Sequence, residues 1–300
     1  MSAKAAVDRP IEREYRSIVS DNFRWQQFEP RAGDIFVCTP PKCGTTWMQT
    51  IVETLVFQGR DLPGAVMDIA PWIDARFHPL DEITARLDAQ THRRSIKTHT
   101  PADGIPWVST ASYIVVGRDG RDACMSMLNH MRNIRPDVMM ELAMSAEADG
   151  IDLSETGLPP TEDVHEFFEW SMNSYPLWFE HVAAFWQHYG EPNVLLVHYN
   201  DMKADLDAQM RQVSEFLGIP VDEQRWSELV ELCTFASMKA RPDEIGDFES
   251  HFVGGADTFL YKGTNDRWRD VLTEDELATF DTLVKAVSYT HLTLPTNREV

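Results

Sequence analysis

A lysine and a histidine two residues apart are the first side chains in this sequence whose types and spacing could do chemistry. Lys97 and His99 lie in residues 94–100, RSIKTHT, a segment that we predict to be extended. Alternate side chains of a strand leave the same face, so the two side chains are predicted to lie side by side. A neighbouring ammonium favours the neutral imidazole, which makes His99 a candidate general base near neutral pH. On these residues alone, a structural, hydrogen-bonded histidine is the alternative interpretation.

The second candidate site is a bend within residues 34–57, DIFVCTPPKCGTTWMQTIVETLVF. Residues 35–39 are an apolar run typical of a buried strand, and the two prolines that follow end it because they cannot donate to a sheet. Gly44 permits a sharp turn, and the next residues have the hydroxyl start and apolar spacing of an amphipathic helix. Free amides and the positive end of the helix dipole would converge there, and Lys42 adds a full charge. The bend is therefore predicted to bind a phosphate-like anion.

The residue order of this bend differs from the ATPase loop G-x-x-x-x-G-K-[ST], because Lys42 precedes the only glycine. Residues 41–47, P-K-C-G-T-T-W, instead resemble the 5′-phosphosulfate loop of the cytosolic-type sulfotransferases, which is close to Y-P-K-S-G-T-T-W. The resemblance implies that the chain binds 3′-phosphoadenosine 5′-phosphosulfate (PAPS) and releases adenosine 3′,5′-bisphosphate. The loop residues implied in donor binding are Lys42, Cys43, which stands where serine is common, Gly44, Thr45, Thr46 and Trp47.

The K-T-H triplet of residues 97–99 resembles the segment that carries the catalytic base in the same family. The resemblance implies that His99 takes the proton of an acceptor hydroxyl, a role worth roughly 10²–10⁴-fold in rate. It implies that Lys42 and Lys97 are catalytic too, since they neutralise the leaving phosphate and hold the transferring group. The sulfuryl group carries less negative charge than a terminal phosphoryl group, so no metal is implied.

Three further segments resemble the family's nucleotide-binding positions. R-D-G-R-D-A-C-M-S resembles the 3′-phosphate segment R-N-x-K-D-x-x-x-S, with Arg118 and Ser126 at the matching positions. Tyr199 and Phe235 fall where the family has aromatic residues near adenine, with Trp47 implied as the opposite face of the stack. A plain core role is the alternative for these aromatic side chains.

Residues 261–268, YKGTNDRW, resemble the C-terminal segment R-K-G-x-x-G-x-W. Lys262 and Gly263 match and are implied in donor binding, whereas Tyr261 replaces the arginine and Asp266 the second glycine. We therefore expect the 3′-phosphate to lose one cationic contact. The histidines beside the recognised segments, His130 and His198, are interpreted as structural.

Four predicted strands must position these residues: 35–39, 94–100, 113–116 and 193–199, alternating with helical segments. This alternation favours a parallel sheet covered on both faces. The resemblance implies an α/β, three-layer P-loop-like fold with a central parallel β-sheet flanked by helices. We assign residues 1–286 to a single sulfotransferase domain and residues 135–163, rich in Asp, Glu, Gly and Pro, to an insertion or lid. Residues 287–300 fit no helical period and resemble a translated sequencing adaptor, so we interpret them as a non-native read-through tail.

The composition limits the partners of the chain. A formal charge of −21 over 300 residues repels polyanions, so we expect neither nucleic acid nor an anionic membrane as a partner. The four cysteines lack metal-type spacing, and no run of residues suggests a leader or a membrane span, so a cytoplasmic protein is expected. Trp72, Phe77 and two apolar segments, 125–131 and 248–252, could wall a pocket for an apolar alcohol or phenol.

Two alternative functions remain open at this point. An ATP-dependent small-molecule kinase or NTPase with an atypical P-loop would need a magnesium-binding carboxylate at a strand end, for which Asp119 or Asp201 could serve. A catalytically silent nucleotide-binding scaffold would use the acidic insertion as an interaction surface. The order of the segments across residues 40–269 favours the sulfotransferase, and the oligomeric state stays open.

Overall fold

The computed structural model describes residues 4–153, 159–174 and 177–291 of the chain. The described residues form a parallel four-stranded sheet in the order β2-β1-β3-β4. Its strands are β1 (Ile35–Cys38), β2 (Ser95–Thr98), β3 (Ser112–Gly117) and β4 (Val194–His198). All four strands were predicted from the sequence, with bounds that differ by one or two residues at their ends.

Helices and short 3₁₀ turns connect and cover these strands. The α-helices are α1 (Thr45–Val56), α2 (Val66–Ile69), α3 (Leu80–Ala89), α4 (Gly120–Asn133), α5 (Pro136–Ala148), α6 (Val164–Ser174), α7 (Leu177–Trp186), α8 (Tyr199–Ala204), α9 (Leu206–Leu217), α10 (Glu223–Leu232), α11 (Phe235–Ala240), α12 (Pro242–Ile245), α13 (Gly255–Phe259) and α14 (Glu274–His291). The 3₁₀ helices are Asn22–Gln27 and Ala102–Gly104. None of the described helices is both long and apolar enough to cross a membrane.

The central strand β1 shows why the fold has three layers. Every side chain of β1 is fully buried, which requires cover on both faces of the sheet. Phe36 and Cys38 face one apolar cluster that includes Trp25 and Phe185. Ile35 and Val37 face the opposite cluster, which contains side chains of α1 and α9. The predicted three-layer α/β fold with a central parallel sheet is therefore confirmed.

The parallel arrangement also fixes where a site can form. β1 pairs with β2 so that Val37 lies beside Lys97, and with β3 so that Val37 lies beside Ile114. All four strands therefore end at the same edge of the sheet. The residues that follow the strands, including Lys42, His99 and Arg118, are brought to this edge from distant parts of the chain.

Two predicted segments differ from expectation. The first half of the predicted insertion, residues 135–163, forms helix α5, whose Leu142 and Ala146 are buried one turn apart while Met140 and Met144 are exposed. The last helix, α14, continues to His291 and so enters the segment for which no helical period was expected. Each added helical residue gains a backbone hydrogen bond, which lets a helix continue past a weak side-chain pattern. The rest of the predicted tail lies outside the described residues, and the single-domain assignment stays a prediction.

Candidate active site

A cavity of about 1440 Å³ opens at the carboxyl edge of the sheet. It is lined by residues that follow each of the four strands and by parts of α4, α11 and the segment before α14. The sequence-predicted residues that line it are Lys42, Gly44, Thr45, Thr46, Trp47, Lys97, His99, Arg118, Ser126, Tyr199, Phe235, Lys262 and Gly263. Thus nearly all of the predicted site residues meet in one space. Cys43 is the exception.

The loop between β1 and α1 forms one wall of this cavity. Lys42 has a positive φ of 64° and Gly44 one of 98°, so the chain makes a left-handed turn immediately before α1. The indole of Trp178 donates to the Pro41 carbonyl at 2.8 Å, and Arg118 donates to the Lys42 carbonyl at 2.9 Å. The first turn of α1 leaves amide groups without intrahelical acceptors. The loop is therefore held by its carbonyl oxygens while the amides at the start of α1 remain available to an anion.

Gly44 is required by its surroundings as well as by its backbone angle. A Cβ atom at this position would lie 2.8 Å from Cδ2 of Tyr199, the first residue of α8. A left-handed backbone is unfavourable for other residues. The close approach therefore depends on the missing side chain, and it places the Tyr199 ring directly beside the loop.

Cys43 is separated from the other predicted donor-binding residues. Its amide donates to the Pro40 carbonyl at 3.3 Å, and its thiol lies 3.7 Å from the Pro41 carbonyl oxygen. The side chain is 1% exposed and packs in the apolar cluster beneath the loop, where burial raises the pKa of the thiol to about 12. The tight turn at Pro40 and Pro41 uses the amide and directs the side chain into the core. The structure therefore gives Cys43 a supporting position rather than a place in the cavity wall.

His99 has the geometry of a general base. Its Nδ1 lies 2.7 Å from the carbonyl oxygen of Thr39, which can only accept, so Nδ1 carries the proton and Nε2 is the free acceptor of the neutral ring. The ring also packs edge-on against Trp72, with centroids 4.6 Å apart. Burial, and then the charge of Lys97, hold the pKa of His99 well below its usual value. The imidazole is therefore neutral at physiological pH.

The half-buried Lys42 and the buried Lys97 bring two ammonium groups to the same region. The ammonium of Lys97 lies 4.3 Å above the Trp72 ring. Burial lowers the pKa of Lys97 to about 8, an effect that Asp74 partly offsets. Burial, followed by repulsion from Lys97 and Arg118, lowers the pKa of Lys42 to about 7. Neither lysine forms an ion pair with a carboxylate of the described residues, so an anionic ligand would relieve their repulsion.

His130 belongs to the site, although sequence reasoning interpreted it as structural. Its Nδ1 lies 3.3 Å from Nζ of Lys42, and its ring packs against Phe252 and Phe259 with centroids 4.9 and 5.8 Å apart. His130 lies one helical turn after Ser126 on α4, and residues with that spacing share a helix face. That spacing from a predicted phosphate-binding serine was the available signal. His198, in contrast, accepts a hydrogen bond from the Asn200 amide at the start of α8.

Arg118 organises a second region of the cavity wall. Besides holding the Lys42 carbonyl, it donates to Oδ1 of Asn265 at 2.8 Å, and its guanidinium lies 4.2 Å from the Tyr199 ring centroid. Its Nε is buried and has no hydrogen-bond acceptor in the described part of the chain. A buried arginine nitrogen without an acceptor is costly, and a phosphate oxygen would satisfy it.

The aromatic residues predicted near adenine also line this cavity. Trp47 packs edge-on against Tyr199 at 5.5 Å and donates its indole N–H to the Cys233 carbonyl at 2.7 Å. Phe235, the first residue of α11, lies so close to Gly263 that a Cβ there would be 3.2 Å from its ring. These aromatic residues line the cavity together, as a site for a flat heterocycle requires.

Asp119, one of the two carboxylates offered for a magnesium-dependent kinase, is engaged in other contacts. Asp119 caps α4 by accepting from the Arg121 amide at 2.8 Å and forms an ion pair with the Arg121 guanidinium at 2.6 Å. Within residues 4–153, 159–174 and 177–291 no group of three or more metal-type side chains comes together. The local geometry therefore gives the kinase alternative no support at Asp119.

Comparisons with known proteins agree with this geometry. The family model described as "Sulfotransferase domain" matches residues 32–292. A glycolipid sulfotransferase of Mycobacterium tuberculosis is 36% identical over 283 residues, covering 87% of each chain. Human sulfotransferase 1C2 is 26% identical over 277 residues, covering 87% of this chain and 84% of the human protein.

Solved structures share the fold at lower identity. Mouse sulfotransferase SULT7A1, complexed with PAP, superposes with a TM-score of 0.66 at 22% identity and covers 89% of this chain and 87% of its own. Retinol dehydratase, in a complex with retinol and PAP, gives a TM-score of 0.67 at 22% identity and covers 89% and 84%.

Proposed function

This chain belongs to the sulfotransferase family, and from that premise we propose that it transfers a sulfuryl group from PAPS to a hydroxyl or amine of a small-molecule acceptor. One observation carries the proposal. Nε2 of His99 and the ammonium groups of Lys42 and Lys97, which have no ion-paired carboxylate among the described residues, belong to the wall of one cavity. A neutral base beside two cations suits the attack of a hydroxyl on an anionic group.

The cavity fits a nucleotide with two separate anionic groups. The free amides at the start of α1, with Lys42, Thr45 and Thr46, suit the inner phosphate of the donor. Arg118 and Ser126, with Lys262 and the Gly263 amide, suit the 3′-phosphate. The unsatisfied Nε of Arg118 supports an anion at this end. When bound, PAPS supplies the activated sulfuryl group.

The protein's own residues would then act as follows. His99 accepts the proton of the acceptor hydroxyl at Nε2, and its Nδ1–H bond to the Thr39 carbonyl stabilises the imidazolium that forms. Lys42 and the loop amides neutralise the charge that develops on the phosphate side of the broken bond. Lys97, fixed above Trp72, orients the transferring group.

We further propose that the acceptor is an apolar alcohol or phenol. The part of the cavity beyond His99 is walled by apolar and aromatic side chains, among them Trp72, Phe77, Met131 and Phe252. The names of the compared proteins, which mention a glycolipid and retinol, support acceptors with large apolar parts. A cytoplasmic location is part of the proposal, since Cys38, Cys43, Cys124 and Cys233 are buried free thiols.

A thermal-shift experiment tests the donor. Adenosine 3′,5′-bisphosphate at one hundred times its Kd is expected to stabilise the protein by about 2.7 kcal/mol, equally with magnesium or with EDTA. A shift seen only with ATP and magnesium would favour a kinase, and no shift with either nucleotide would contradict the proposal. Transfer of label from ³⁵S-PAPS to a panel of apolar alcohols, phenols and free sugars then tests the acceptor class; label on sugars alone would refute the apolar acceptor.

A further inference from the structure

The segment that closes over Arg118 carries an arginine that the sequence comparison did not assign. Tyr261 stands where the resembling segment has arginine, which led us to expect one lost cationic contact. Arg267, six positions later, lines the same cavity as Arg118 and Lys262. We propose that Arg267 takes the place of the missing arginine and binds the phosphate of the donor that lies away from Lys42. The inference rests on the proposed function and adds a donor-binding residue to it.

The fold brings Arg267 to Arg118 through a short turn. Arg118 donates to Oδ1 of Asn265 at 2.8 Å and to the Thr264 carbonyl at 3.4 Å, so it contacts the residues just before Arg267. Arg267 is half-buried, with its guanidinium 5.5 Å from the ring centroid of Tyr261. The tyrosine that replaced the expected arginine therefore serves as a surface on which Arg267 rests.

The turn lies at the second departure from the resembling pattern. Asp266, which stands where that pattern has glycine, adopts a left-handed φ of 65°. Its amide donates to Oδ1 of Asp122 at 2.7 Å, which ties the turn to helix α4. Aspartate tolerates this conformation better than most residues. Arg267 directly follows this turn and lines the cavity wall together with Arg118.

Arg267 is also free to bind an anion. It forms no hydrogen bond or ion pair with any residue that the structure describes, although the chain contains 48 acidic residues. Two carboxylates lie nearby: Asp266 pairs with Arg269 at 2.8 Å, and Asp122 accepts from the Asp266 amide at 2.7 Å without forming an ion pair with Arg267. Burial and the positive charge of Arg118 lower the pKa of Arg267. Neither Arg118 nor Arg267 forms an ion pair with a carboxylate of the described residues, and two such neighbouring guanidinium groups favour a multivalent anion such as phosphate.

Isothermal titration with two nucleotides tests this assignment. Adenosine 3′,5′-bisphosphate has the phosphate that Arg267 would bind, whereas AMP lacks it. Arg267→Ala is expected to weaken bisphosphate binding by about 10- to 100-fold and to leave AMP binding within about threefold of wild type. Arg60→Ala removes the same charge at an exposed position outside the cavity wall and is expected to change neither affinity.

A reciprocal variant sharpens the result. Tyr261→Arg combined with Arg267→Ala returns the arginine to the position of the resembling pattern and is expected to recover part of the lost bisphosphate affinity. Melting curves without ligand verify that each variant is folded. An Arg267→Ala protein that still prefers the bisphosphate as strongly as wild type would overturn the inference and leave the proposed function intact. A wild-type protein that binds neither nucleotide would overturn both.

Discussion

The two ends of the cavity use different kinds of positive charge. The lysine end, which we define as Lys42, Lys97 and His99, is partly or fully buried, and its groups have pKa values moved toward or below neutrality. The arginine end, defined as Arg118 and Arg267, consists of guanidinium groups that keep their charge at every physiological pH. The two ends therefore suit different tasks. Groups that can change protonation suit the reacting end, and permanent charges suit the anchoring of a phosphate.

The two ends also differ in how the chain builds them. The lysine end comes from residues that directly follow β1 or lie at the end of β2, where backbone geometry fixes them. The arginine end joins the residue after β3 to a loop far away in the sequence. An end built on strand termini tolerates little change, whereas a loop can move an arginine from one position to another and keep its function.

The largest expected effect separates catalysis from binding at the lysine end. His99→Asn should lower sulfuryl transfer by about 10²–10⁴-fold, because the base is lost, and leave bisphosphate affinity within about twofold. Transfer from ³⁵S-PAPS and isothermal titration measure the two quantities. His165→Asn, at an exposed histidine paired with Glu276, is the matched control and should change neither. Full turnover in His99→Asn would show that His99 is not the base and would contradict a catalytic role for the lysine end.

A second experiment compares how strictly each end requires glycine, at Gly44 beside Lys42 and at Gly263 in the loop that contacts Arg118. Gly44→Ala should destabilise the protein by about 2–4 kcal/mol, since a left-handed alanine would also press on the Tyr199 ring. Gly263→Ala should cost less, because its φ of 60° is milder and its Cβ would lie 3.2 Å from Phe235. Gly218→Ala, left-handed but without a neighbour within 4 Å, gives the cost of the backbone alone.

Urea unfolding supplies these free energies, and titration of adenosine 3′,5′-bisphosphate follows the site. Gly218→Ala should bind the nucleotide normally. If Gly44→Ala were no more destabilising than Gly218→Ala, the close approach of Tyr199 would not be what requires glycine at position 44.

The smallest expected effect is a pH dependence that belongs to the lysine end alone. The pKa of Lys42 is lowered to about 7 in the free protein, and a bound anion would raise it. Binding therefore takes up a proton above pH 7, so bisphosphate affinity should be full below that pH and fall by up to about tenfold per unit above it. Lys97, with a pKa of about 8, extends the fall to higher pH.

Isothermal titration in buffers of different ionisation enthalpy measures both the affinity and the proton uptake. Lys42→Met should flatten the profile between about pH 7 and 8, whereas Arg267→Ala should keep the slope at a lower affinity. An equal loss of slope in both variants would show that the two ends titrate as one unit.

Local features of the chain were predictable from the sequence alone. Proline at the end of β1, glycine before α1 and the spacing of Lys97 and His99 restrict the backbone directly, so the strand, the loop and the paired side chains follow from neighbouring residues. The parallel sheet followed from the alternation of strands and helices. The family resemblance then placed these segments around one donor.

Only the tertiary structure decided the features that depend on packing between distant segments. The Cys43 amide donates to the Pro40 carbonyl and its side chain packs in the core, so Cys43 does not line the cavity. His130 does line it, with Nδ1 3.3 Å from Nζ of Lys42. Arg267 joined Arg118 through a turn that no pattern indicated. The lowered pKa of Lys42 likewise arises from burial and from the charges of Lys97 on β2 and Arg118 just after β3. Residue order restricts local backbone shape, but proximity and desolvation exist only once the whole chain has packed.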